Sequence, residues 1–399
     1  MKIAVLHSGN LGFFPRFYQD LCKAVEKRGD EILAFAPNTG QNRRRPLLRQ
    51  ILWGYKWNWF AHFSLYKLTG LQDLWSPFST RDLIKKLKAY HPDLVHLHVV
   101  NQWDTSFPML IRYLNKAKIP VVWTFHDTRV FTGRCAYFDE ANCYRWQTGC
   151  GRCPKEGLYP PSFVDNTHLQ WKLRKKWFNG IKNLHIVTPS QWLADLVSQS
   201  FLKEKPICVI HNGIDTSSFS EPVNIEIPQL DSVKKKILLG VSAGWEHRKG
   251  LDSMLWMSEH LPNDYQIVLV GLRPGQEAEL PSNIIGIQRT SSKEELIAFY
   301  QKATVFVNPT LADNFPTVNI EALGAGLPVV TFRTGGSAEC LTDGCGLSVE
   351  KGNNEALLKA VIEVATHPEI YTRNHCIRRS KDFSLDQFDK YVDLYHSLI

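Results

Sequence analysis

No stretch of this 399-residue chain is apolar for long enough to cross a bilayer as a helix, which argues against an integral helical membrane protein. The first residues, Met1-Lys-Ile-Ala-Val-Leu-His, run directly into a strand pattern and lack the layout of a secretory signal. The expected location is therefore the cytoplasm. The glycine turn Gly9-Asn-Leu-Gly12 is too short for the three-glycine dinucleotide fingerprint. Acidic residues are scarce in the first half: residues 1–190 hold 28 Lys and Arg against 13 Asp and Glu. The remainder holds 19 against 26, so the net charge of +8 conceals a basic half and an acidic half. The basic half suits an anionic substrate or surface, such as acidic lipid, a lipid-linked diphosphate or nucleic acid.

What is present is a soluble, globular composition, 44% hydrophobic and 22% charged, long enough for two domains. Short apolar strands alternate with helix-like stretches. In the first half the strands are Ile3–His7, Glu31–Ala36, Asp93–His98, Ile119–His126 and Leu184–Thr188. In the second they are Ile237–Val241, Gln266–Val270, Asn283–Ile287, Thr304–Asn308 and Pro328–Phe332. Such runs predict parallel sheets covered on both faces, hence two doubly wound α/β domains. The expected division is 1–205, completed by a last helix over 384–399, and 206–383.

Two segments interrupt the alternation. From Arg43 to Leu68, basic residues are followed by Trp53, Tyr55, Trp57, Trp59, Phe60, Phe63 and Tyr66. Interleaved aromatics and cations suit an anionic membrane surface, although a core helix or a nucleic-acid face would show the same pattern. The second is a long loop over residues 131–165 that carries four of the nine cysteines, Cys135, Cys143, Cys150 and Cys153. A long loop in a compact domain needs a staple or a function. Thiols in a reducing compartment suggest structural zinc, and the Cys150–Cys153 spacing is that of half a zinc site.

The chemistry concentrates in the second half. Asp313-Asn-Phe-Pro-Thr-Val-Asn-Ile-Glu321 places an acid in a loop and a second acid on the helix that follows. The helix start near Thr317 directs backbone N–H groups and a partial positive charge outward, which suits a phosphate. Glu321 could then accept from sugar hydroxyls. Arg248 and Lys249, in Glu246-His-Arg-Lys-Gly250, could bind a diphosphate directly. His126 and Asp127 end a buried strand, where open α/β sheets present ligands.

The 313–321 segment resembles the Glu-x7-Glu signature of the retaining glycosyltransferases of family 4, with Asp313 in place of the first Glu. Some bacterial polysaccharide transferases share the Asp-Asn-Phe-Pro form. The resemblance is strongest from Val187 to Glu339 and includes His211-Asn-Gly-Ile-Asp215 and Gly335-Gly336-Ser-Ala-Glu339. It implies a GT-B architecture, two Rossmann-like domains facing a cleft, and a nucleoside-diphosphate sugar as donor. Glu321 would then hold the ribose. Arg248, Lys249 and Thr317 would hold the diphosphate, with Gly335 and Gly336 beside the donor. Asp313 would face the donor sugar, and His126 would orient sugar and acceptor. Gly9, Gly12 and Asp127 would lie on the acceptor side.

The chain contains no Asp-x-Asp pair, so fixed cations are expected to neutralise the leaving group, with no cofactor required for catalysis. The expected acceptor is a saccharide, lipid-linked, in bacterial surface-polysaccharide synthesis, with the enzyme on the inner face of the cytoplasmic membrane. The alternatives are a sugar-nucleotide epimerase on the same scaffold and a non-enzymatic module that binds anions or nucleic acid. The ordered motifs of the second half weigh against nucleic acid.

Overall fold

The computed structural model describes residues 1–10, 12–100, 103–154, 160–231 and 233–399. Leu11 of the first glycine turn and residues 155–159 of the cysteine loop lie outside the described residues. Two α/β units are present: unit 1 comprises residues 1–211 and 387–399, and unit 2 comprises 212–386.

Unit 1 is built on seven parallel strands. They are β1 (Lys2–Leu6), β2 (Glu31–Pro37), β3 (Gln50–Trp53), β4 (Leu94–Leu97), β5 (Val121–Thr124), β6 (Leu184–Thr188) and β7 (Ile207–Val209). They lie in the order β3-β2-β1-β4-β5-β6-β7. Unit 2 has six parallel strands: β8 (Lys236–Val241), β9 (Tyr265–Val270), β10 (Ile284–Ile287), β11 (Val305–Asn308), β12 (Val329–Phe332) and β13 (Gly346–Val349), in the order β10-β9-β8-β11-β12-β13. Central strands such as Ile3-Ala-Val-Leu6 and Val305-Phe-Val307 are fully buried. Helices cover both faces, and each buried Ile, Val, Leu or Phe contributes roughly 1.5–3 kcal/mol. These two Rossmann-like sheets are the fold class that the alternation predicts. In each, strand order reverses at one point, between β1 and β4 and between β8 and β11. Loops there diverge and leave a crevice beyond the strand ends.

Three strands, β3, β7 and β13, are absent from the sequence-based expectation. Each is three or four residues long and lies at a sheet edge, where one missing neighbour weakens the apolar signal. The basic aromatic segment also divides. Strand β3 ends at Gly54, whose φ is +77° and whose missing Cβ makes room for the side chain of Ser79. A helix over Lys56–Thr69 follows. That helix is only partly core: Tyr66 is buried, whereas Tyr55, Trp57, Phe60 and Leu68 are exposed.

The zinc clip expected in the cysteine loop is not assembled. None of the four cysteines is in a disulfide, and among the described residues no three His, Cys, Asp or Glu side chains are gathered to hold an ion. Burial pushes the Cys150 thiol up to about 11, and its Sγ accepts a hydrogen bond from the Gly133 N–H.

The loop is stapled by other means. Arg174 is completely buried; its Nε reaches Asp73 at 2.8 Å, and its Nη1 donates to the carbonyls of Arg129 and Thr132 at 2.5 and 2.9 Å. Trp146 is buried in the unit 1 core, and its carbonyl accepts from the Trp171 indole at 2.8 Å.

The last helix, Gln387–Ser397, packs on the first, Phe14–Lys27. Its Tyr395 hydroxyl lies 2.6 Å from His96 Nδ1, its Tyr391 hydroxyl 3.2 Å from Thr124 Oγ1, and Arg28 pairs with Asp393 at 2.9 Å.

Candidate functional site

In unit 2 the loops after β8 and β11 meet at the strand-order reversal. After β8 the chain turns at Gly244 (φ +111°) and buries Trp245 back onto Gly240, with the indole donating to the Val270 carbonyl at 3.0 Å. Trp245 is therefore core. The short 3-10 turn His247–Lys249 follows and ends at Gly250 (φ +81°), packed against the Pro309 carbonyl where a Cβ would overlap it. This close approach fixes the basic turn on the β11 loop.

Lys249 Nζ lies 2.5 Å from Asp313 Oδ2, with both side chains partly exposed. Arg248 donates to the Ala312 carbonyl at 3.0 Å and pairs with Glu246 at 3.0 Å; Glu246 also pairs with Arg273 at 2.6 Å. Arg248 thus braces the two loops against each other, while Lys249 and Asp313 sit at the crevice.

The helix after this loop spans Thr317–Gly324, with Pro316 as its N-cap. It carries Glu321, which accepts from the hydroxyl of buried Tyr300 at 3.1 Å. Asn319 is fully buried and ties this helix to β11 through Asn308 (2.7 Å) and to the glycine turn through the Ser337 carbonyl (3.0 Å). Gly335 has φ +54° and lies so close to Asp313 that a Cβ would overlap that residue's carbonyl; the Gly336 N–H donates to the Asn314 carbonyl at 2.8 Å. Lys249, Asp313 and the Gly335-Gly336 turn therefore form one assembly, and Thr317 and Glu321 belong to the helix that continues from it.

In unit 1, His126 follows β5 and its Nε2 lies 2.9 Å from His98 Nδ1. Burial lowers His126 to about 4 against the opposing pull of Asp127, so it is a neutral imidazole at pH 7. His98 and His96 are buried, and His96 also bonds Thr124 at 2.8 Å. Asp127 caps the turn Thr128–Val130, accepting from the Arg129 N–H at 2.9 Å and pairing with the Arg129 guanidinium at 2.7 Å. Its carboxylate is thus committed to local structure. Gly12 has φ +67°. Gly9 stands in a turn held by fully buried Asn42, which accepts from the Asn10 N–H at 3.0 Å and donates to the Ser8 carbonyl at 3.1 Å.

Comparison with known proteins gives these sites a setting. Residues 15–218 match the family described as Glycosyltransferase Family 4, and residues 223–383 match Glycosyl transferases group 1. The chain belongs to Glycosyltransferase Family 4. A relative from Escherichia coli K12, WcaC, named as a colanic acid biosynthesis glycosyl transferase, is 26% identical over 73% of this chain and 72% of its own. The O-antigen chain mannosyltransferase RfbU of Salmonella typhimurium is 23% identical over 54% of this chain and 60% of its own. Among solved structures, a sucrose-phosphate synthase from Thermosynechococcus elongatus superposes with a TM-score of 0.72 at 18% identity, covering 100% of this chain and 99% of that one. Anabaena HepE in complex with UDP superposes at 0.66 and 15%, covering 100% of both. Such structures share the GT-B type of fold.

Two residues of this glycosyltransferase escaped the sequence reading. Tyr300 supports Glu321 from another helix, and Arg273 completes the ionic cluster at Glu246. No local pattern marks them, because each acts across a long sequence separation.

Proposed function

We propose that this glycosyltransferase moves a sugar from a nucleoside-diphosphate sugar, with retention of configuration, to a lipid-linked saccharide during assembly of a bacterial surface polysaccharide. The observation that carries this reading is the Lys249–Asp313 pair at the strand-order reversal of unit 2, next to the helix that bears Glu321. Lys249 and the helix start at Thr317 would take the charge of the departing diphosphate. Arg248 would keep the basic turn in place. Glu321, oriented by Tyr300, would accept from the ribose hydroxyls, and Asp313 would face the donor sugar. As the bond from the anomeric carbon to the phosphate oxygen breaks, the acceptor oxygen bonds to that carbon on the same face. The acceptor's proton passes to the leaving phosphate. In unit 1, neutral His126 would orient a hydroxyl of the acceptor.

Relatives named for colanic acid, O-antigen and lipopolysaccharide core synthesis support the polysaccharide setting. A screen of nucleotide sugars against a bacterial lipid extract, read by mass spectrometry, tests the reading. Transfer from one donor is expected, and donors bound by none of the protein would reject it.

The same reading assigns a membrane-facing side to unit 1. Residues 32–72 contain no acidic residue and six Lys or Arg. Exposed Trp57 and Phe60 lie on helix Lys56–Thr69, with exposed Phe78 and Phe163 elsewhere in unit 1. Lys67 lies 5.8 Å from the ring of Phe163, and Arg81 5.8 Å from that of Phe78. Among the described residues no helix is long and apolar enough to cross a membrane, so contact would be interfacial. Trp57→Ser with Phe60→Ser should lower co-sedimentation with anionic phosphatidylglycerol vesicles about tenfold and leave nucleotide binding intact. Equal sedimentation of variant and wild type would remove this face from consideration.

A further inference from the structure

A cavity of about 650 Å³ opens in unit 1 beyond the C-terminal ends of β1, β2 and β4, at that sheet's own strand-order reversal. Its lining includes Ser8, Arg43, Lys56, Trp59, Asp104 and Arg129. We propose that Asp104 is a specificity-determining residue that holds a hydroxyl of an anionic saccharide, whose phosphate is gripped by Arg43 and Lys56. This rests on the function proposed above and deepens it.

Four observations support the assignment. Asp104 is only 5% exposed, and its carboxyl makes no hydrogen bond or ion pair with the described residues. A carboxyl so desolvated is a cost to the fold that an unused residue would not impose. Ser8 borders the same cavity, and its hydroxyl is enclosed with no partner among the described residues. Neither group has a partner among the described residues, and the Asp104 carboxyl suits a polyhydroxylated ligand, whose hydroxyls donate and accept. Third, the cations are arranged apart from the acid in exposure: Arg43 and Lys56 are exposed, whereas Asp104 is buried. That gradient orients the ligand, with its phosphate outward at the cations and its sugar ring inward at the carboxyl. Fourth, Trp59 is partly buried in the wall and stacked with Phe63 at 17° between planes, which gives a fixed apolar plate for a sugar's C–H face. Burial also raises the Asp104 carboxyl to about 7, so near neutral pH it accepts from a hydroxyl or donates to one.

Asp104 binds and positions; it takes no part in bond making. The phosphate could belong to a lipid-linked diphosphate or to a free sugar phosphate. Lys56, Trp59 and Phe60 line this cavity and lie on the helix with the exposed aromatic face, so a lipid tail would leave in that direction.

The test uses full-length wild type, Asp104→Asn and Asp104→Leu, with the donor chosen by the screen. Transfer is measured against serial dilutions of a bacterial lipid extract and, separately, against hexose 1-phosphate. The half-saturating amount of acceptor should rise at least tenfold in Asp104→Asn, and transfer should vanish in Asp104→Leu. Nucleotide binding and slow hydrolysis of the donor by water should stay within twofold of wild type. At pH 8 the melting temperature of Asp104→Asn should equal or exceed that of wild type, whereas a purely structural carboxyl would give a drop.

Transfer to the extract alone assigns a lipid-borne acceptor, and transfer to hexose 1-phosphate a free one. Unchanged acceptor saturation in both variants overturns the proposal, as does wild-type donor hydrolysis without transfer to either probe. If wild type neither binds nor hydrolyses any donor, the proposed function fails first and takes this inference with it.

Discussion

Lys249→Met should lower the turnover number about a thousandfold while the protein still folds. The departing diphosphate develops charge that must be met by a fixed cation, and removing one such group typically costs about 10²–10³ in rate. Arg248 cannot substitute, because its guanidinium is held by the Ala312 carbonyl and by Glu246. Methionine keeps most of the side-chain volume and leaves Asp313 partly exposed, where water can solvate it.

A companion pair of variants separates binding from support. Glu321→Ala removes both the proposed ribose acceptor and the partner of the buried Tyr300 hydroxyl, so loss of turnover and some loss of stability are expected. Glu321→Gln retains an oxygen for Tyr300 and should melt like wild type, yet bind nucleotide about tenfold more weakly, because a charge-assisted hydrogen bond becomes a neutral one. Turnover of Lys249→Met within tenfold of wild type would contradict the site assignment.

Unit 1 should come apart in mild acid before unit 2 does. Burial lowers His7, His62 and His96 to about 3, His126 to about 4, and His98 well below the usual imidazole value. All five lie in unit 1. Above pH 6.5 they are neutral in folded and unfolded chains alike and do not affect the balance. As pH falls below 6.5, the unfolded chain takes up protons that the folded one refuses, so stability declines. Asp104 acts in the opposite sense. Its carboxyl is raised, so the folded state holds a proton over the interval from about 7 down to 3.8, and this offsets one histidine.

The net uptake on unfolding near pH 5 is then about four protons, a slope on the order of 5 kcal/mol per pH unit. The check is hydrogen exchange on the full chain at pH 7.5 and pH 5, with rates corrected for the intrinsic pH dependence. Protection should be lost in residues 1–211 and kept in 212–386. Equal protection at both pH values would show that the imidazoles do not control the fold.

What was legible in the sequence follows from distance along the chain. Buried strands such as Ile3–Leu6 and Val305–Asn308 announce themselves, because both faces are covered and the apolar run is continuous. Lys249 and Asp313 were found separately, each from its place after a strand, and the fold brings them within 2.5 Å. Edge strands left little trace, since Gln50–Trp53 is short and follows a basic run. Arg174 and Asp73 lie 101 residues apart, so the staple of the cysteine loop was invisible while the cysteine spacing was conspicuous. Asp104 was equally silent: a lone acid in a loop reads as solvated until burial and the surrounding cavity are known.

The helix Gln387–Ser397 belongs to unit 1 but is translated only after the whole of unit 2. Until it emerges from the ribosome, Phe17 lacks its neighbour Phe388 and His96 lacks the hydroxyl of Tyr395. The first unit to be synthesised is therefore the last to be sealed, and for most of translation it presents an apolar seam to the cell. Unit 2, contiguous in the chain, has no such wait, which reverses the usual N-to-C order of domain completion.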